Sequence, residues 1–234
     1  MKPSVDIIIL SWAKNKELRK VTEDGIRTCI DSEDNVNFNF YVIESNSKIT
    51  YDFPNTKTIH PKSKFGYHKY MNIGVREGKS KYVCLSNNDL TYEKGWASGI
   101  IRLMENNPQI KSASPWCPQT QGDNKDHIGM VYQGTRVRGE LAGWCIFQQR
   151  SIYESIGELN EGVEFWFSDN IYADQLNHNK VMHALIPHSV VNHHADNLGK
   201  TGRTAIDEET QQKYMMGQEG KYKLALDKLV NETT

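Results

Sequence analysis

The sequence predicts an α/β sandwich, a single domain with a mainly parallel central sheet flanked by helices. Two observations carry this. Through the first half, short apolar or β-branched runs alternate with segments of helical spacing in the order β-α-β-β-α-β-α, the pattern of parallel strands joined by right-handed crossovers. The chain has 234 residues with 38% apolar, 10% aromatic and 24% charged content. That suits one domain with a substantial core and excludes a disordered chain, a collagen and a long coiled coil.

Residues 5–10 form a short apolar run, interrupted only by Asp6, and read as a buried strand. Residues 14–30 follow as a helix, with Leu18, Val21, Ile26, Cys29 and Ile30 at helical spacing. The β-branched and aromatic run 38–44 is a second strand, ended by the turn residues Ser45, Asn46 and Ser47. Residues 56–60 are a weaker strand, 67–77 a helix, 81–86 a strand and 95–106 a helix stopped by Asn-Asn-Pro at 106–108. The second half is less regular. A strand is expected at 110–113, then a long functional loop rich in Gly, Asp, Asn and Gln over 115–139. Next come a strand at 144–148, a short helix at 151–155 and a longer helix at 169–179. Two strand-like runs, 181–186 and 189–193, flank Pro187; residues 195–208 read as a mobile stretch and 209–230 as a helix.

Charge is balanced, with 28 Lys and Arg against 29 Asp and Glu, so no whole-molecule field draws the chain to nucleic acid or membrane. No apolar run is long enough to span a bilayer. Cys29, Cys84, Cys117 and Cys145 are widely spaced with no Cys-x-x-Cys pair, which points to reduced thiols and a cytoplasmic setting, the host cytoplasm if the protein is viral.

In open α/β sheets, ligands bind beyond the carboxyl ends of the strands. Three strands deliver polar clusters there: Ser11-Trp12, Glu44-Ser45-Asn46-Ser47 and Asn87-Asn88-Asp89. Any one of them is ordinary turn chemistry. Their recurrence at one edge points to a shared ligand site.

These residues, in this order, resemble the GT-A glycosyltransferases, particularly the large family 2 group that includes many rhamnosyltransferase-like enzymes. Ile9-Leu10-Ser11-Trp12 is similar to that family's first strand ending, usually two apolar residues and Thr-Tyr, and Val42 to Ser47 to its Val-Val-Asp-Asn-Gly-Ser. Gly66-Tyr67 followed by Asn72-Ile73-Gly74 is similar to Gly-Phe and Asn-x-Gly, and Tyr82 to Asp89 to a strand ending in Leu-Leu-Asn-Asn-Asp. Gly143 to Leu159 resembles a later Gly…Arg…Gly-x-Phe/Leu block, Phe167-Ser168-Asp169 stands where the family has Glu-Asp, and Pro187 to His194 resembles a strand ending in His-His. The resemblance implies a GT-A, Rossmann-like fold over residues 1–194, with a nucleotide-binding half at about 1–110 and an acceptor half at about 111–194. Residues 195–234 are then a lid and helix packed on the same domain.

The implied activity is transfer of a sugar from a nucleoside-diphosphate sugar to an acceptor hydroxyl, with inversion, a saccharide or glycoconjugate being favoured as acceptor. Such chemistry must stabilise a leaving diphosphate, and Mn²⁺ or Mg²⁺ bridging its oxygens does so. Asp89 and His193 are the candidate ligands. The motif keeps one carboxylate where Asp-x-Asp is commoner, which implies a weak site completed by the nucleotide, or none. Adjacent His193 and His194 point to opposite faces of a strand, so only one can face the site, and alignment favours His193.

The acceptor hydroxyl must also lose its proton. Asp169, opening a helix after Phe165-Trp166-Phe167, is the candidate base, since aromatic walls raise a carboxylate pKa. Helix capping is the plain alternative, and Glu164 and Asp174 are the fallback bases. Nucleotide recognition is assigned to Ser11, Trp12, Glu44, Gly66, Tyr67, Asn72 and Asn88, and the donor sugar or acceptor to Gly143 and Trp144. Trp12 either stacks on the base or packs in the core. Lys200 and Arg203 are candidates for a lid over the diphosphate.

Two alternatives stand beside this. One is a phage-type enzyme acting on hydroxymethylated bases in DNA, suggested by the interleaved basic and aromatic residues of 62–70 and, more loosely, 213–223. The other is a non-catalytic nucleotide-sugar-binding module, suggested by the lone Asp89 and by Ser168 in place of Glu.

Overall fold

The computed structural model describes residues 2–194 and 208–231. Nine strands form one sheet in the order β3-β2-β1-β4-β8-β6-β9-β5, with β7 pairing β9 beside this path. The strands are β1 (Ser4–Ser11), β2 (Asn37–Glu44), β3 (Thr56–Ile59), β4 (Tyr82–Ser86), β5 (Leu90–Tyr92), β6 (Ile110–Trp116), β7 (Tyr132–Gln133), β8 (Cys145–Gln149) and β9 (Met182–His193). The main helices are α1 (Lys16–Asp31), α2 (Tyr67–Glu77), α3 (Trp96–Asn106), α6 (Ser168–His178) and α7 (Glu208–Asn231), with single turns α4 (Pro118–Gln121) and α5 (Tyr153–Ile156) between.

Side chains alternate across β1. Val5, Ile7 and Ile9 face a core shared with Ile26 and Cys29 of α1 and with Trp96 and Ile100 of α3. Ile8 faces the other, with Met71 of α2 and Tyr172 and Leu176 of α6. Two helical layers thus cover the two faces, as the period-2 pattern requires. β4 is buried on every residue, which explains its unbroken apolar run. Local signals set the helix ends. Asn15 caps α1 by accepting from Leu18 N at 2.8 Å, and Gly95 leads into α3 with φ 78°.

β1, β2, β3 and β4 pair in parallel, and β6 is parallel to β9. β8 enters antiparallel between β4 and β6. Parallel pairing therefore holds the N-terminal half, and the remainder is mixed. The reversal matters for the site: β4 ends at Ser86, opposite Cys145, the first residue of β8. Gly143 and Trp144 are thereby delivered to the carboxyl edge of β4. β5 runs antiparallel to β9 with Leu90 opposite His193, so the end of β9 reaches that edge too.

Three expectations change. The two runs around Pro187 are one strand, because Pro187 falls where the β6–β9 register shifts and its missing N–H costs no regular ladder bond. The expected strand 110–113 continues to Trp116. The 115–139 segment holds α4, a 3₁₀ turn at Lys125–His127 and β7 rather than unbroken loop. β5 is too short to register in the sequence pattern.

α7 packs on α6: Ala225 joins Val163 and Ile171 in a small core, and Tyr222 stacks on Phe167 with centroids 5.3 Å apart. No helix among the described residues is long and apolar enough to cross a membrane. All four cysteines are free and buried, with the Cys84 and Cys145 sulfurs 3.7 Å apart.

Candidate active site

A hydrogen-bonded chain ties the ends of β1, β2 and β4 together. Glu44 Oε1 accepts from Ala13 N at 3.1 Å and Asn46 N at 2.7 Å. Its Oε2 accepts from Tyr51 OH at 2.9 Å. The Tyr51 hydroxyl also lies 2.9 Å from Ser11 Oγ, which is 3.1 Å from Thr22 Oγ1. Thr22 accepts from Asn88 Nδ2 at 3.1 Å. Five polar residues from distant sequence positions so form one network, with Asp89 the next residue. The network corrects two assignments. Glu44 is fully buried with both oxygens engaged, so it braces the strand ends instead of presenting a free carboxylate to a nucleotide. Ser11 is equally taken up. Trp12 is 59% exposed, which rules out core packing; Lys14 Nζ sits 3.6 Å from its ring centroid.

Asp89 is different. Its Oδ1 is buried and takes no hydrogen bond, although His193 Nε2 lies 3.3 Å away. His193 in turn stacks on Trp144, with centroids 5.4 Å apart and planes 21° from parallel. The second histidine turns away: His194 Nε2 lies 2.8 Å from Thr91 Oγ1. An orphaned carboxylate oxygen facing an imidazole nitrogen is a donor set with room for a cation. Among the described residues, no group of three or more His, Cys, Asp or Glu could hold a metal ion, so a cation here would find at most the two donors Asp89 and His193 on the protein. Mn²⁺ or Mg²⁺ held partly by diphosphate fits that pair.

Asp169 lies in the first turn of α6 and accepts from Asn170 N at 3.0 Å. Burial raises its pKa above the ordinary value, against smaller lowering by backbone hydrogen bonds and by the Arg138 charge. Phe167, at the N-cap, has φ 68°, left-handed backbone that a bulky residue adopts only under external constraint. Gly143 makes space for the carboxylate: a Cβ there would lie 2.7 Å from Asp169 Cβ. Tyr67 joins the two ends of the site. Its hydroxyl donates to Asn87 Oδ1 at 3.1 Å and to Gly143 O at 3.2 Å. Burial, then the charge of Asp169 and more weakly of Asp89, push its pKa far up, so it stays a donor.

A chain of contacts thus links Asp89, His193, Trp144, Gly143, Tyr67 and Asp169, with Asn88, Ser11 and Glu44 in the adjoining network. Other assignments do not hold. Asn72 is buried, donating to Leu159 O and Glu161 Oε1 at 2.9 Å each and accepting from Leu159 N at 3.1 Å; it clamps α2 to the 159–161 segment, away from a nucleotide. Gly66 caps α2, and a Cβ there would crowd Lys69. Of the fallback bases, Glu164 is held by Lys221 and Tyr214 with its pKa lowered, first by the Lys221 hydrogen bond. Asp174 accepts from Tyr222 OH at 2.7 Å. Lys200 and Arg203 lie outside the described residues. Tyr51, Thr22 and Arg138 were not singled out from sequence, and Asn87 was read only as part of the polar cluster ending β4. Of these, Arg138 lies within the 115–139 stretch expected to be functional, and the structure gives it a left-handed φ of 63°.

No protein-family profile and no curated protein matches the sequence. Solved structures do match in three dimensions. One is GalNAc-T7, crystallised with UDP, GalNAc and Mn²⁺: TM-score 0.63, 11% identity, covering 82% of this chain and 44% of that one. Another is the mannosyltransferase PcManGT of Pyrobaculum calidifontis in complex with GDP-Man and Mn²⁺: TM-score 0.63, 14% identity, covering 86% of this chain and 59% of that one. This chain therefore spans about half the length of the two structures it resembles. The mixed nine-stranded sheet with helices on both faces is the GT-A fold of these glycosyltransferases.

Proposed function

We propose that this protein is a glycosyltransferase that moves a sugar from a nucleoside-diphosphate sugar to an acceptor hydroxyl with inversion, the acceptor being a saccharide or glycoconjugate. The observation that carries the reading is the unpaired, buried Asp89 oxygen facing His193 in the same chain of contacts as Asp169. Two solved structures of the same fold, both with Mn²⁺ and a nucleotide or nucleotide sugar, support it. In this reading residues 1–110 hold the donor, 111–194 the acceptor, and the free buried cysteines suit the cytoplasm.

Asp89 and His193 would hold Mn²⁺ or Mg²⁺, which when bound supplies Lewis-acid stabilisation to the diphosphate. Asp169, its pKa raised by burial, takes the proton of the acceptor hydroxyl while that oxygen bonds to the anomeric carbon. The bond to the nucleoside diphosphate breaks on the opposite face, hence inversion. Tyr67 keeps its proton and fixes Asn87 to the Gly143 carbonyl, so the two ends of the site keep their spacing. Exposed Trp12 offers an aromatic surface to the base.

Part of the basic and aromatic stretch behind the nucleic-acid alternative is engaged within the protein. Within 62–70, His68 and Tyr70 are buried, and burial lowers the His68 pKa to about 4. Lys64 and Lys221 are both paired to Glu164.

A thermal-shift series with UDP, GDP and nucleotide sugars, with and without Mn²⁺, tests the reading. At a nucleotide concentration 100-fold above Kd, about 2.7 kcal/mol of stabilisation is expected. D89N and H193A should lose the Mn²⁺-dependent part while the ligand-free melting temperature stays nearly unchanged. Indifference of the wild-type protein to every nucleotide refutes the proposal.

A further inference from the structure

Two large aromatic side chains near Asp169 are left open to solvent. Phe65 is 39% exposed and Phe165 is 46% exposed, and isolated exposure of this kind is common, whereas a joined aromatic patch beside a site is not. Their ring centroids are 6.4 Å apart. Each ring is fixed from behind. Phe65 meets Tyr70 edge-on at 5.2 Å, and Tyr70 OH donates to Ser63 O at 2.8 Å. Phe165 meets Tyr67 edge-on at 6.2 Å and Trp166 at 5.5 Å. The Phe165 carbonyl accepts from Ser168 Oγ at 2.7 Å, and Tyr67 N donates to Glu164 O at 2.6 Å. The ledge is therefore held in place before any ligand arrives, and Tyr67 connects it to the Gly143 carbonyl, with Asp169 packed beside Gly143.

We infer that Phe65 and Phe165 form an acceptor subsite, a ledge on which the apolar face of a neutral saccharide ring stacks so that a hydroxyl of that saccharide reaches Asp169. This rests on the proposed glycosyl transfer and names its acceptor class and subsite. Sugar rings carry C–H groups on one face and hydroxyls at the rim, and a π-face with a polar surround recognises that pattern. Charge selects sugar over a nucleic-acid base, which would stack as well. Strand binding draws on cations facing phosphate, and here the Glu164 carboxylate lies between Lys64 and Lys221, at 3.4 and 2.6 Å, and offsets their charge beside the ledge.

The test uses the full-length protein and saturation-transfer NMR with cellobiose, maltose, lactose, chitobiose and mannobiose, at saturating UDP or GDP with Mn²⁺. At least one disaccharide should receive saturation, strongest on the ring C–H face. F65A/F165A should weaken that binding about tenfold. F165A alone should weaken it in the same direction, and F165W, which keeps an aromatic face, should bind as wild type does. Nucleotide stabilisation measured by thermal shift should be the same in all variants, which also reports that they are folded. Equal saturation transfer in wild type and F65A/F165A, or none from the wild type to any disaccharide, overturns the subsite. Preferential binding of a twelve-residue oligothymidylate that depends on the two rings overturns the saccharide assignment. If nucleotides still stabilise the protein through Asp89 and His193 in any of these cases, the subsite has failed and the donor site stands. If no nucleotide binds, it is the proposed function that has failed.

Discussion

Asp6 and Asp89 show how one sheet treats carboxylates at its two edges. Asp6, near the amino end of β1, is fully buried. It accepts from Ser80 N at 2.8 Å, Ser80 Oγ at 2.6 Å, Asn39 Nδ2 at 3.0 Å and Arg150 Nη2 at 2.6 Å. Arg150 also donates to Ser80 O and Val75 O. Nothing there is left to bind. Asp89, just past the carboxyl end of β4, keeps one oxygen buried and unpaired beside His193. A saturated carboxylate joins β1 to the α2–β4 connection; an under-satisfied one keeps its capacity for a ligand. Glu44 sits at the same edge yet belongs with Asp6 by this measure, and Asp169, met by backbone N–H groups of its own first turn and by no side-chain donor among the described residues, is closer to Asp89.

The division can be broken by experiment. The largest effect is expected at the ligand edge: D169N should lower the transfer rate by about 10³-fold while leaving nucleotide-induced stabilisation intact. A rate within threefold of wild type would remove Asp169 as the base. At the opposite edge, R150A strands the Asp6 charge in the interior and should cost about 3–5 kcal/mol in chemical denaturation. A cost below about 1 kcal/mol would show that Asp6 is not the brace described. The smallest effect sharpens the comparison. Burial raises the folded pKa of Asp169 above its ordinary 3.8, so its charged form is disfavoured in the folded protein. The stability linked to its proton is complete below the unfolded pKa and is lost as pH rises through the folded one. D169N should therefore melt higher than wild type at neutral pH, with the gap closing in melts near pH 3 to 4, and the wild-type transfer rate should rise through the raised pKa. An identical melting difference at every pH would contradict this sign.

Much of the fold was legible because it is written locally. The apolar run of β1, the β-branched and aromatic run of β2 and the Asn-Asn-Pro stop at 106–108 act over a few residues, and α2 runs over the expected Tyr67–Glu77. The order of polar strand endings pointed to Asp89, whereas His193, Gly143, Trp144 and Asp169 came from the family resemblance. What was misread depends on contacts between distant residues. Asn72 reaches 87 positions along the chain to Leu159, and Glu44 is closed off by Tyr51 and by the Ala13 amide across the sheet. No local pattern distinguishes a polar residue facing a ligand from one facing another loop. The three-residue β5 and two-residue β7 exist because β9 offers them an edge, not because their own residues favour a strand.

The left-handed backbone at Phe167 has a consequence for engineering. A glycine would adopt that angle at ease, yet the chain keeps an aromatic there, and its ring lies on Tyr222 with the planes 10° apart. The direction in which α6 sets out, and with it the aim of Asp169, is thus gripped by α7. Randomised libraries aimed at faster catalysts would do well to include Tyr222 and Ala225, dials for the base more than fifty positions downstream of it.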